Sequence, residues 1–105
     1  MVMSHKKLAD IVVRSIEYFE LVDDEQLDPH TALQYLEDIA SDLNEATPEE
    51  QSAVKQAAKD RLAWFLQEPD EYGYSPRKTL RTEHRRLLES IASGEAFGWS
   101  PDGAT

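Results

Sequence analysis

Three histidines, a long acidic run and a short basic stripe are the residues of this chain whose types and spacing could do chemistry. His84 lies between Leu80 and the Leu87/Leu88 pair, at helical spacing from both, so it is expected at the edge of a core with one hydrogen bond. The sharper alternative, a catalytic base, would need a Ser or Thr nucleophile beside it and a third group to orient it. Thr79 and Thr82 are close in sequence, but neither sits in a strained strand-to-helix elbow. Ser4, Thr47 and Ser75 read as helix caps. His5 falls in a terminus expected to fray. His30 falls in a first helical turn, where a positive charge opposes the dipole. Both read as surface residues. No catalytic residue is assigned, and an enzyme is not expected.

Metal and cofactor chemistry find no better footing. The chain has no cysteine, which removes disulfides, thiolate metal sites and a Cys nucleophile. Di-metal helical bundles use a Glu-x-x-His pair on one helix, and no such pair occurs. The cluster Asp23-Asp24-Glu25 with Asp28 lacks the glycine and the terminal glutamate of a calcium loop. Four glycines leave no room for a glycine-rich phosphate cradle. No metal and no cofactor are expected.

The elements that must position these residues are helices. At 105 residues, 40% of them hydrophobic, the chain is the size of one domain and can bury about two-thirds of its unfolded surface. The expected fold is all-α: a small bundle of about four helices with an irregular C-terminal tail. Helix α1 spans about 6–21, with Leu8, Ile11, Val12, Ser15, Ile16 and Phe19 as its inner face. Helix α2 spans about 29–45. Asp28 caps it, Pro29 takes the first helical position, and Ala32, Leu33, Leu36, Ile39, Ala40 and Leu43 face inward. Helix α3 starts at Pro48 behind a Thr47–Glu50 capping box and ends near Glu68, ahead of Pro69. Its apolar arc (Val54, Ala57, Ala58, Leu62, Phe65, Leu66, widened by Trp64) is broad enough to touch more than one neighbour. A loop over 69–74 leads to Ser75-Pro76, where α4 is expected to begin and to run unbroken to Gly94. The predicted domain covers 1–94 and the tail 95–105, with Phe97 and Trp99 available to fold back. Leu36, Ile39, Leu62, Phe65 and Leu87 lie at the centres of the arcs and are expected to be buried.

Charge is the strongest functional signal. The net charge is −10, and between Glu17 and Glu50 there are twelve acidic residues with no Lys or Arg. Asp38, Asp42 and Glu45 share one stripe of α2. Asp38 and Asp42 stand four apart, where like charges cost a few tenths of a kcal/mol. The opposite sign gathers in Arg77, Lys78, Arg81 and Arg85, expected on one side of α4. The plain reading is that this basic stripe packs against the acidic stripe of α2, within one molecule or across a homodimer.

The functional expectation is a small acidic protein-interaction module. Its Asp38, Asp42, Glu45 and Tyr35 would bind a basic protein partner by electrostatic steering and a few aromatic anchors. Tyr18, Tyr72, Tyr74 and Trp99 are further candidate anchors. Antitoxin- or immunity-type inhibitors of basic toxins are small acidic proteins of this general build, an analogy of class with no motif behind it. The alternative is a helical DNA-associated regulator using Arg77, Lys78, Arg81 and Arg85, although so anionic a surface repels nucleic acid. No run approaches the roughly 18 apolar residues of a membrane span, and Asp10 and Arg14 interrupt the apolar stretch that a secretory signal needs. A cytoplasmic location is expected.

Overall fold

Capping chemistry written into the sequence sets the starts of two of the four α-helices in the computed structural model, which describes residues 5–99. The order is α1 (Lys6–Leu21), α2 (Pro29–Asn44), α3 (Pro48–Phe65), a 3-10 turn (Pro76–Thr79), α4 (Thr82–Ser93) and a second 3-10 turn (Glu95–Phe97). There is no strand among the described residues, and no helix is long and apolar enough to cross a membrane. The all-α bundle is as expected. Asp28 accepts the Thr31 amide at 3.0 Å to open α2. At α3 both halves of the capping box form. The Glu50 amide donates to the Thr47 hydroxyl at 3.1 Å, and the Thr47 amide donates to the Glu50 carboxylate at 2.8 Å. Ser4 lies outside the described residues; at the start of α1, His5 provides no side-chain cap.

Helix α3 is the axis of the fold. It packs against α1, α4 and the Pro76–Thr79 turn, as its broad arc requires. Val54, Ala57, Ala58 and Phe65 of α3 join Ala9, Val13 and Ile16 of α1, Leu43 of α2, and Leu88 and Ile91 of α4 in one buried cluster. Phe97 and Trp99 fold back onto that cluster. Gly94, left-handed at φ +88°, turns the chain there, and the Trp99 amide donates to the Gly94 carbonyl at 2.8 Å.

Four expectations are corrected. First, α1 is rotated: Ala9, Val13, Ile16 and Glu17 are buried, while Leu8 and Ile11 are exposed. The apolar arc of α1 is wider than one contact surface. The alanine-rich face of α3 takes the small side chains, and Glu17 turns inward toward Arg61 and His84. Second, of the five residues expected at the centres of the core, Phe65 alone is buried; Leu36, Ile39, Leu62 and Leu87 are partly covered, and Leu33 is exposed. Helix α2 packs on α1 and the Glu95–Phe97 turn, so its inner face is only half closed.

Third, α3 stops at Phe65. The carbonyls just past its end are taken by later side chains: the Ser75 hydroxyl donates to the Gln67 carbonyl at 2.8 Å and Arg77 Nη2 to the Leu66 carbonyl at 2.6 Å. Side chains satisfy these groups, so the helix need not continue. Fourth, α4 does not begin at Pro76. The Thr79 hydroxyl donates back to the Pro76 carbonyl at 2.7 Å, closing a tight turn. Leu80 and Arg81 then adopt extended backbone with ψ 108° and 160°. That break lets Leu80 reach the core cluster, and it carries the four basic residues off a common helix.

Candidate functional site

Glu17, on the inner side of α1, is a buried carboxylate only 5% exposed. Arg61 of α3 donates from Nε to its Oε1 at 2.6 Å, and His84 of α4 lies with Nε2 2.5 Å from its Oε2. A carboxylate offers only acceptors, so His84 Nε2–H is the donor. Three helices therefore meet on one carboxylate. Phe65 roofs the cluster: its ring is edge-on to His84 at 4.9 Å, and the Arg61 guanidinium sits 5.4 Å from its centre. His84 is thus the core-edge histidine the sequence indicated, held by one hydrogen bond.

In the sequence Glu17 is the first member of the acidic run, and Arg61 belongs to neither charged stripe. A signal for both was present. Arg61 stands inside the apolar arc of α3, three after Ala58 and four before Phe65, and Glu17 follows the buried Ile16. Charged residues of opposite sign inside two apolar arcs are each other's best partners, because a buried charge needs one.

A depression of about 590 Å³ lies beside this cluster, lined by Glu20, Thr79, Arg81, Glu83 and His84 among others. His84 Nε2 is committed to Glu17, and the Thr79 hydroxyl to the Pro76 carbonyl. No group of three or more His, Cys, Asp or Glu among the described residues is placed to hold a metal ion.

Tyr35, Asp38, Asp42 and Glu45 all stand exposed on or just past α2. The Tyr35 ring stacks on Phe19 of α1, 4.9 Å between centres and 14° from parallel. Among the described residues, no ion pair reaches Asp38, Asp42 or Glu45. Asp42 and Glu45 also crowd the C-terminal end of α2, where the dipole disfavours negative charge and no basic residue stands in the last turn.

The basic residues do not answer them. Arg77 is held by the Leu66 carbonyl and by Glu68 at 3.4 Å, and Arg85 by Glu89 at 3.1 Å. The expected pairing of the two stripes within the molecule is absent among the described residues. The basic residues are also not a helical stripe. Arg77 and Lys78 ride on the 3-10 turn, Arg81 precedes α4 and Arg85 lies within it. Arg77, Arg81 and Arg85 nevertheless line one depression of about 560 Å³, with Leu66, Leu80 and Thr82.

Glu50 titrates below its ordinary value. The hydrogen bond from the Thr47 backbone amide holds its carboxyl below the usual range; partial desolvation opposes this, and the Thr47 side chain and the charge of His5 add to it. This is capping chemistry and belongs to the fold. No protein-family model, curated protein or solved structure matches this chain.

Proposed function

We propose that this protein is a small acidic interaction module whose Tyr35, Asp38, Asp42 and Glu45 meet a basic protein partner, an inhibitor of antitoxin or immunity type being one form of it. The observation that supports this reading is that no ion pair among the described residues reaches these three carboxylates, two of which, Asp42 and Glu45, stand at a helix end where negative charge is locally unfavourable. Charges that neutralise nothing among the described residues, and that at the helix end weaken the helix carrying them, are suited to steering a partner of opposite sign. Tyr35, propped on Phe19, offers a flat amphipathic anchor at one end of the row.

The test is the double reversal Asp38→Lys/Asp42→Lys. Association with a basic partner captured from the native cell should slow about tenfold, most at low salt, with thermal melting unchanged. Unchanged capture overturns the proposal. The rival account, in which these carboxylates neutralise Arg77, Arg81 and Arg85 of a second copy, predicts loss of a dimer on the same reversal, partly restored by Arg81→Glu.

A second reading, a DNA-associated regulator, draws on the depression shared by Arg77, Arg81 and Arg85. It is weakened by the internal partners of Arg77 and Arg85 and by the net charge of −10. Duplex binding that falls steeply with salt, and is lost in Arg81→Glu, would favour it.

A further inference from the structure

The rotation of α1 leaves a second apolar row on its outer side. Leu8, Ile11, Ser15 and Tyr18 follow one another at spacings of three, four and three, which is a straight seam along a helix. Leu8 is 67% exposed, Ile11 51% and Tyr18 53%, against 0% for Val13 on the inner side. A helix covered on one side gains nothing from apolar side chains on the other unless something else covers them.

The shape of the seam indicates what covers it. A depression of about 300 Å³ is lined by Ile11, Arg14, Ser15, Tyr18 and Phe19. The first four of these are i, i+3, i+4 and i+7 on one helix, the set of four that forms the hole for a knob from a facing helix. Ser15 supplies the floor, small and with its hydroxyl donated back to the Ile11 carbonyl at 2.8 Å. Arg14, on one rim, is already neutralised by Asp10 at 3.1 Å.

Charge indicates the character of the occupant. Ile16 and Glu20 of α1 share a depression with Leu36, Ile39 and Ala40 of α2, Phe19 stacks on Tyr35, and the short link over 22–28 turns these neighbouring helices antiparallel. The row Tyr35, Asp38, Asp42, Glu45 therefore lies alongside the row Tyr18, Ser15, Ile11, Leu8, joined at the Phe19–Tyr35 stack. One face of the α1–α2 hairpin thus carries an apolar seam with an acidic rail beside it that forms no ion pair among the described residues.

We infer that this face docks an amphipathic helix of a partner protein, laid along α1 with apolar knobs in the Leu8–Tyr18 seam and Lys or Arg on the flank over α2. The inference rests on the acidic-module reading and gives the partner its form. A second copy of this chain presents the same acidic rail and is disfavoured by repulsion.

The experiment uses a synthetic helical peptide of three heptads, Leu at the seam positions and Lys on both flanks, with a Glu-flanked peptide of the same length as control. The flanking lysines also keep the free peptide from pairing with itself. Binding of the Lys peptide to the whole protein should shift the amide resonances of α1 around Ile11 and Ser15. Ile11→Asp, at an exposed position, should weaken it at least tenfold with unchanged melting, and Tyr18→Ser should repeat the effect on the second wall of the hole. Absence of binding, equal binding of the Glu peptide, or affinity unaffected by both seam variants overturns the docked helix. If Asp38→Lys/Asp42→Lys weakens the Lys peptide while both seam variants do not, the docked helix fails and the acidic-module reading stands. If the seam variants weaken binding and the charge reversal does not, the acidic-module reading fails with the charged flank.

Discussion

Glu17 and His84, 67 residues apart in the chain, meet Oε2 to Nε2 at 2.5 Å where α1 crosses α4. Arg61 arrives from α3, 44 residues from Glu17, and completes the cluster at 2.6 Å. A carboxylate nearly out of water is tolerable only with such partners. The cluster therefore acts as a specificity device: with α1 rotated to bury the Leu8–Ile11 side, Glu17 would leave both of its partners.

Removing that carboxylate should be costly. Glu17→Ala leaves Arg61 and His84 facing an apolar cavity and should destabilise the fold by about 3 kcal/mol, read as a shift of the urea midpoint. Replacing the whole cluster, Glu17→Leu with Arg61→Met and His84→Leu, should recover most of the loss, since well-packed apolar groups often replace a buried ionic network without penalty. A Glu17→Ala protein with an unshifted midpoint would show that the cluster contributes nothing to stability.

Phe65 roofs the same cluster and closes the core beneath it. Phe65→Ala should cost roughly 4 kcal/mol, a large share of the 5–15 kcal/mol typical of a domain. Near-native melting of the variant would mean that the site collapses around the missing ring.

The capping box gives a stability and a pH signature. Thr47→Ala should cost about 1 kcal/mol. The Glu50 carboxyl is held below its usual range chiefly by the Thr47 amide. Its contribution is therefore present above the ordinary carboxylate range and is lost as pH falls through the lowered folded value. Denaturant midpoints of wild type and Glu50→Gln should differ at neutral pH and converge at the acid end. Parallel curves would refute the assignment.

Two glycines with similar backbones should respond differently to a methyl group. At Gly94, φ +88°, an added Cβ would stand 3.0 Å from Trp99 Cβ, 3.2 Å from the Trp99 carbonyl oxygen and 3.3 Å from the Lys55 stem. At Gly73, φ +79°, it would meet nothing within 4 Å. Gly73→Ala should therefore cost the left-handed penalty alone, about 1 kcal/mol, and Gly94→Ala roughly 2 kcal/mol or more. The near-ultraviolet signal of Trp99 should change only in the second. Equal melting shifts would contradict the packing of Trp99 against the turn.

The chain's own chemistry determined that it is helical and where α2 and α3 begin. Asp28 with Thr31 and Thr47 with Glu50 act within three residues, and Gly94 takes a left-handed turn on its own account, so these boundaries need no tertiary information. The acidic character of α2's outer row is equally local, because a helix facing one neighbour exposes its far side. Tertiary structure decided which side of α1 turned inward, that α4 broke at Leu80, and that Arg77 and Arg85 were engaged away from α2. These outcomes have a common cause. A broad apolar arc leaves the rotation of a helix undetermined until a neighbour's shape and one buried charge choose among near-equal faces. A helix end or a guanidinium goes to whichever carbonyl or carboxylate the fold brings within 3 Å or so, and for Glu17 those partners lay 44 and 67 residues away.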